Sequence, residues 1–183
     1  DVMGEYIVDS YMDYGEYVFD IYPNLYSDLT LSCVDLSAYA EAEEALNDYF
    51  AELDTSLDMQ NYPRLVRNRA RVRDFGTYSS DMNYGMVDVL HMLELLGDNS
   101  DTAKAATRAV ESCIAYSDTN MENAGGISIC YPYQTDEDYR DACIEMQEYL
   151  GFAPNYTRFL QDFYAIQNGD TLLADREISN AHT

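Results

Sequence analysis

Two short runs in the chain have the composition of buried β-strands, and their scarcity is the strongest constraint on the fold. The first is LTLSCVDL at 29–36 and the second is ISICY at 127–131, both rich in apolar and β-branched residues. Two or three strands cannot form a stable sheet alone. We therefore expect them to complete a larger sheet, whose other strands belong to another chain or to a preceding part of the protein.

Most of the remaining sequence has patterns typical of helices. Apolar residues recur at spacings of three and four, Ser37 is a predicted N-cap, and Gly76 and Gly97 are placed where helices end. The predicted helices cover 3–14, the segment after Ser37, 64–73, 86–96, the segment from about 101, 136–150 and 155–166. The tail after Gly169 is predicted to be polar and mobile. Strands interspersed with helices predict an α/β fold.

Four of these helices have stripes of mostly apolar residues that should face the core. The stripes are Met3, Ile7, Tyr11 and Tyr14; Ala38, Ala42, Ala45, Tyr49 and Leu53; Ala103, Ala106, Val110 and Cys113; and Tyr139, Cys143, Met146 and Leu150.

The chain is strongly acidic, with 34 Asp and Glu residues, 10 Lys and Arg residues and a net charge of -24. Such a field repels phosphate backbones and anionic lipids, so nucleic acid and membranes are not expected partners. The acidity favours a secreted or salt-exposed protein kept soluble by its charge, and a cationic ligand would suit it. Because residue 1 is aspartate, we expect the chain to be a processed product or a piece of something longer.

Half of the positive charge lies in YPRLVRNRARVRDFG at 62–76. Its arginines are Arg64, Arg67, Arg69, Arg71 and Arg73. A phosphate or heparin patch is one interpretation of such a cluster. The acidic context favours a solvated helix face that pairs with carboxylates.

The cysteines and histidines do not have the spacing of a metal site or a disulfide framework. Cys33 and Cys130 lie in the strand-like runs, and Cys113 and Cys143 lie on helix stripes. We expect all four to be small buried hydrophobic residues. His91, inside an apolar helix, is predicted to be a core or groove histidine rather than a general base, and His182 lies in the tail.

Two acid-rich stretches, GDNSDT at 97–102 and SDTNMENAGG at 117–126, superficially suggest calcium. Neither has the residue pattern of a calcium loop, so capping of loops by Asp, Asn and Ser is the favoured interpretation. Gly125 and Gly126 precede a strand rather than opening a helix, which argues against a nucleotide site.

Four separated segments together resemble the C-terminal half of the clostripain family of cysteine peptidases. They are YIVDSYMDY at 6–14, TLSCVDLSAY at 30–39, NAGGISICYPY at 123–133 and NYTRFLQDFY at 155–164. Their order and spacing match that family over most of the chain.

The resemblance implies a caspase-like α/β/α sandwich with a helix-rich C-terminal extension. Residues 1–60 would be the C-terminal part of the caspase-like core (helix, strand, helix), and residues 61–183 a helix-rich domain carrying the 127–131 strand. The family uses a His/Cys dyad, prefers to cleave after Arg or Lys, and is often cut into two chains that stay together. Its histidine is followed by glycine and its cysteine lies in an Asp-Ala-Cys context, both upstream of the segment matched by 6–14.

The chain contains no His-Gly, and its one Asp-Ala-Cys is Asp141-Ala142-Cys143. The preceding residues, TDEDYR, do not form a buried strand, and Cys143 lies on a helical stripe. Surrounding carboxylates would raise its thiol pKa. We therefore expect a structural cysteine rather than the nucleophile.

These observations predict the C-terminal portion of a clostripain-like cysteine endopeptidase, inactive by itself, with no catalytic, cofactor-binding or metal-binding residue assigned. The chemistry requires no cofactor, although a structural calcium ion is compatible with the family. The expected partners are the N-terminal portion or chain of the same enzyme and peptide substrates with Arg or Lys. The expected location is secreted or in the cell envelope of a bacterium. The alternative is a non-catalytic acidic interaction module related to that family.

Overall fold

The structure, a computed structural model, describes residues 2–19, 30–79, 82–133 and 137–170. Within these ranges the chain is mixed α/β, with seven helices and five strands. In order they are α1 (Val2–Phe19), β1 (Thr30–Val34), α2 (Tyr39–Thr55), α3 (Tyr62–Arg69), β2 (Asp74–Ser79), β3 (Met82–Asp88), α4 (Val89–Leu96), α5 (Asp101–Cys113), β4 (Ile114–Thr119), β5 (Ser128–Cys130), α6 (Glu137–Leu150) and α7 (Pro154–Asn168).

The strands form two small antiparallel sheets. β1 pairs with β4 in one, and the other has the order β2-β3-β5. The sequence analysis missed β2, β3 and β4, and each of the two predicted strand-like runs has one neighbouring strand among the described residues. β4 was missed because it continues directly from the last residue of α5, with no loop between them.

Three predicted helix boundaries are also wrong, and local side chains explain two of them. The helix predicted at 86–96 begins at Val89, because Asp88 keeps an extended backbone and its Oδ1 accepts the N–H of His91 at 2.9 Å. Ser37 is not the N-cap of α2, because its N–H and hydroxyl donate to Asp35. The arginine helix ends at Arg69, and Gly76, with a φ of +77°, lies inside β2 rather than closing the helix.

The core lies mainly among α2, α5 and α7. Phe50 of α2 contacts the rings of Tyr156 and Phe159, with centroids 4.4 and 5.6 Å apart. The predicted stripe of α5 is buried in full, and that of α2 is buried at Ala42, Tyr49 and Leu53. One buried cluster includes residues on both sides of residue 60, so the two segments pack together.

Two predicted stripes face the core less than expected. On α6, Met146 and Leu150 are 45% and 64% exposed, and the buried residues are Arg140, Cys143 and Gln147. The helix takes this orientation because Arg140 contacts α7, donating to Gln167 at 2.9 Å. On α1, Ile7 and Tyr14 are exposed.

The packed face of α1 includes Gly4, where a Cβ would collide with the ring of Tyr116 in β4.

The loop predicted around Pro23 and Asn24 and the tail 171–183 lie outside the described residues. No described helix is long and apolar enough to cross a membrane.

Candidate functional site

Arg69, at the end of α3, is a charged residue that is almost completely buried. Its Nε donates to the carbonyl of Tyr131 at 2.7 Å and its Nη2 to Asp74 Oδ2 at 3.0 Å. The guanidinium also lies over the rings of Tyr131 and Tyr133, 5.2 and 4.7 Å from their centroids. These contacts use the donors and the face of the cation, so Arg69 is structural rather than part of a ligand site.

The prediction of a solvated arginine face is therefore wrong for Arg69. It holds for Arg67 and Arg71, which are exposed. Arg64 forms an ion pair with Asp98, and Arg73 lies over the ring of Phe75. No sequence signal identified Tyr131 as the partner of Arg69, because the two residues lie 62 residues apart along the chain.

Two of the four cysteines meet beneath α6. Cys130 of β5 and Cys143 of α6 are both buried, and Cys143 Sγ donates to the carbonyl of Cys130 at 3.5 Å. The hydroxyl of Tyr139, one turn earlier on α6, donates to the carbonyl of Tyr84 at 2.9 Å. Cys130 Sγ donates to the same carbonyl at 3.8 Å. The cluster joins α6 to β5 and the neighbouring strand β3.

The pKa values of the two thiols are shifted in opposite directions. A hydrogen bond from the Cys143 thiol lowers the pKa of Cys130, with smaller contributions from Tyr139 and Arg69. The same hydrogen bond, together with burial, raises the pKa of Cys143 well above its usual range. The predicted direction for Cys143 is correct, but the cause is Cys130 and burial rather than surrounding carboxylates.

The other two cysteines differ from each other. Cys113 is buried at the end of α5, and burial raises the pKa of its thiol. Cys33 is exposed on β1, so the expectation that all four are buried is wrong at that position. The reason is that β1 belongs to a sheet without a fully covering layer among the described residues.

An apolar groove with a volume of about 440 Å³ opens between α2 and α6. Its lining includes Tyr39, Leu46, Met86, Cys130, Met146 and Phe152. Leu36, just before α2, is 80% exposed, and Tyr39 is 40% exposed. We call the Val34, Leu36 and Tyr39 side chains, all at least partly exposed beside β1, the β1 patch.

His91 lines a second cleft of about 580 Å³ and is half-buried, as a groove histidine should be. Its Nδ1 accepts the backbone N–H of Arg73 at 2.9 Å, so Nε2 carries the proton of the neutral ring. Asp88, at the cleft wall, is buried and accepts from the backbone N–H groups of His91 and Gly125. No serine or cysteine is among the described residues that line this cleft, so His91 has no serine or cysteine nucleophile beside it there. His182 lies outside the described residues.

The acid-rich loops act as caps and turns in the part of the chain that the structure describes. Ser100 caps α5 by accepting the N–H of Ala103 at 3.1 Å, and Thr119 Oγ1 accepts the N–H of Met121 at 2.9 Å. Asp98, Asn99 and Asn123 take positive φ angles, which Asp and Asn tolerate in turns. No three His, Cys, Asp or Glu side chains of the described ranges are grouped as metal ligands.

The two sheets present open edges. Among the described strands β1 pairs with β4 alone and β4 with β1 alone, so each has one edge without a neighbouring strand. No residue of either strand is fully buried. Unpaired strand edges bind other strands readily, and the β1 patch extends this open region toward the apolar groove.

The chain matches no family model, no curated protein and no solved structure in comparisons with known proteins.

Proposed function

We propose that this chain is the C-terminal, fold-completing portion of a clostripain-like cysteine endopeptidase, and that the catalytic His/Cys dyad lies in a preceding portion. The observation that carries the proposal is the β1–β4 sheet, which has two open edges and no fully buried residue within the described ranges. A preceding portion that added strands to this sheet would bury the β1 patch.

The order of elements supports the family resemblance. β1 runs through a short turn into the long helix α2, as the family's strand and helix do. β5 is followed by two terminal helices, α6 and α7. In this proposal the caspase-like sandwich is completed by the preceding portion, which supplies the main sheet and the active site.

The positions of the described cysteines support the absence of a His/Cys dyad, because none of them, Cys130 with its lowered pKa included, lines the cleft that holds His91. Cys143 has a raised thiol pKa, and Cys33, although exposed, lies on β1 and does not line the cleft that holds His91. In a His/Cys dyad the histidine lies within hydrogen-bonding distance of the cysteine, so in this proposal the acting pair belongs to the preceding portion.

The chemistry of the complete enzyme would be acyl transfer. A thiolate attacks the carbonyl carbon after an Arg or Lys residue, the peptide nitrogen leaves with a proton from histidine, and water hydrolyses the thioester. The contribution of this chain is to complete the fold and to supply negative charge. A net charge of -24 attracts cationic substrates and raises their local concentration.

The test begins with the coding sequence upstream of Asp1. It should encode a strand followed by His-Gly and, later, a strand followed by Asp-Ala-Cys. The two portions expressed together should copurify and cleave peptides after Arg or Lys, whereas the 183-residue chain alone should not. An upstream region without both motifs, or preference for acidic residues at the cleaved position, would refute the proposal.

A matched pair of variants locates the interface. Leu36→Asp adds a charge to the β1 patch and should weaken copurification with the N-terminal portion by about tenfold or more, since an unpaired charge would be buried. Met59→Asp changes an equally apolar, 73% exposed residue in the turn after α2 and should have no effect. Equal behaviour of the two variants would show that the β1 patch is not the contact.

The alternative function, an acidic interaction module without catalysis, is favoured by the exposed face of α6. Glu137, Asp138, Asp141, Glu145 and Glu148 are all exposed there. A chain with this role would bind a basic partner even where the upstream region encodes no dyad, and the binding would weaken with added salt.

A further inference from the structure

We infer that Cys130 and Cys143 form a redox-active pair. Oxidation by a small-molecule disulfide would join them in a reversible disulfide bond between β5 and α6. Both are free thiols in the structure. The inference does not depend on the proposed function, because it rests on the geometry of the described residues.

The geometry places the two cysteines in contact. Cys143 Sγ lies 3.5 Å from the carbonyl oxygen of Cys130, and each thiol is the largest influence on the pKa of the other. Both side chains are 4% exposed, so both lie in the buried layer between β5 and α6.

The electrostatics divide the two roles that thiol–disulfide exchange requires. Cys130 is the attacking thiol, because the Cys143 thiol, the Tyr139 hydroxyl and the Arg69 guanidinium all favour its thiolate. Cys143 keeps its proton until the mixed disulfide forms, because burial and Cys130 raise its pKa. The pair therefore resembles an attacking and a resolving cysteine.

The apolar groove gives the reagent a route. Cys130 is one of its lining residues, and the groove opens between α2 and α6. By contrast, Cys113 also lines the groove, but its thiol has a raised pKa and donates to the carbonyl of Asp35. Access alone thus does not distinguish the two cysteines, whereas the charge environment does.

The oxidant we name is a small-molecule disulfide such as oxidised glutathione. The Cys130 thiolate attacks one sulfur, forms a Cys130–glutathione disulfide and releases the first glutathione thiolate. Cys143 then gives its proton to solvent, and its sulfur attacks the Cys130 sulfur and releases the second thiolate. Two protein thiols are oxidised to one disulfide, and the reagent is reduced to two molecules of glutathione.

The link would restrain a helix of which three residues are buried. The three buried residues of α6 are Arg140, Cys143 and Gln147, while Tyr149 and Leu150 are largely exposed. A disulfide near the middle of α6 would fix it on β5, and constraining the unfolded chain should raise the Tm of the protein.

The experiment uses oxidised glutathione on the folded 183-residue chain, followed by acid quench, unfolding and thiol counting. With the exposed Cys33 replaced by serine (Cys33→Ser), we expect the three remaining free thiols to fall to one, peptide mapping to recover Cys130 linked to Cys143, and dithiothreitol to restore all three. Three free thiols after the treatment, or a disulfide that involves Cys113 instead, would overturn the inference.

Single substitutions test the division of roles. Cys143→Ser removes the resolving thiol, so glutathione should stay attached to Cys130, whereas Cys130→Ser should leave Cys143 unmodified under the same conditions. Glutathione trapped on Cys143 in preference to Cys130 would contradict the assignment. Circular dichroism and Tm check that each variant is folded, and mapping of the chain that carries only Cys33→Ser gives an answer even where a further variant is not.

Discussion

The two sheets of this protein differ in how they are held. In the three-stranded sheet, Val87, Ile129 and Cys130 are buried, and side chains from α3 and α7 reach the backbone of its outer strand and the residues after it. Tyr156 donates to the carbonyl of Cys130, Tyr164 to that of Pro132, and Arg69 to that of Tyr131. In the β1–β4 sheet no residue is fully buried.

The comparison shows which of the two sheets is covered by helices of this chain. The three-stranded sheet has its covering helices in this chain, and its polar backbone groups have buried partners. The β1–β4 sheet packs against α1. It is linked to the rest by α5, which runs directly into β4, by the Ser32 hydroxyl donating to the carbonyl of Gly126 and by the N–H of Asp35 donating to the carbonyl of Cys113. Our account is that a preceding portion of the protein covers this second sheet.

The largest effect should come from Arg69→Ala. The substitution leaves Asp74 as a partly buried charge without its cation and the carbonyl of Tyr131 without its donor, which should cost about 3–5 kcal/mol of unfolding free energy. Urea unfolding followed by circular dichroism measures it. Arg67→Ala, on the exposed side of the same helix, is the control and should change stability by less than about 0.5 kcal/mol.

The next prediction compares the sheets directly. Ile129→Ala, in β5, removes a buried side chain and should cost about 2–4 kcal/mol. Leu31→Ala, in half-buried β1, should cost less than about 1 kcal/mol in this chain alone. Equal costs in urea unfolding would show that the two sheets are equally well packed and would break the comparison.

A third substitution concerns the junction between β3 and the segment after β5. Gly85 has a φ of +60°, and a Cβ there would lie 2.5 Å from Pro132 Cα. Gly85→Ala should therefore lower stability by about 2–3 kcal/mol through steric strain. Gly151 has a similar φ of +65° but open space around it, so Gly151→Ala should cost only about 1 kcal/mol. A similar loss of Tm in both variants would show that Pro132 is not in close contact.

The smallest effect is a pH dependence in the well-packed region. Burial and the neighbouring Asp162 carboxylate raise the pKa of Asp54, on α2, to about 6. Unfolded aspartate has a pKa of about 3.9. Between these values the folded chain holds a proton that the unfolded chain has released, so this group's contribution to stability falls as pH rises from about 4 to 6.

Asp54→Asn should remove that dependence and stabilise the protein at pH 7 by about 1 kcal/mol, since partial solvation reduces the effect. Asp48→Asn, an exposed position on the same helix, controls for the loss of one negative charge. The difference between the two variants in Tm from pH 4 to pH 8 measures the contribution of Asp54. Parallel curves would show that the pKa of Asp54 is not raised in the folded chain.

Local patterns allowed the helices to be predicted and failed for the strands. The stripe of α5 is visible in the spacing of Ala103, Ala106 and Val110, and its burial follows from that spacing. The strand β3 was read as helix because Met86 and Val87 fit a helical stripe as well as a buried strand, and a single N-cap, Asp88, decides where the helix begins.

The candidate sites were less predictable, because they depend on pairs that are distant in sequence. Nothing near Arg69 indicates that the carbonyl of Tyr131 will lie above it, and no spacing rule joins Cys130 to Cys143. The general conclusion that Cys143 is buried on a helix could be predicted from its position. Its actual neighbour could not, because the rotation of α6 is set by Arg140 and Gln147 rather than by its apolar residues.

Hydrogen exchange of the β1 and β4 amides, in this chain alone and together with the preceding portion of the protein, tests the central claim most directly. We predict that in the chain alone residues 30–34 and 114–119 exchange much faster than residues 86–88 and 128–130, because local opening of an uncovered sheet costs little. With the preceding portion bound, their exchange should slow by about tenfold or more. Protection of the two sheets that is already equal in the chain alone, or that does not change in the complete protein, would contradict the account.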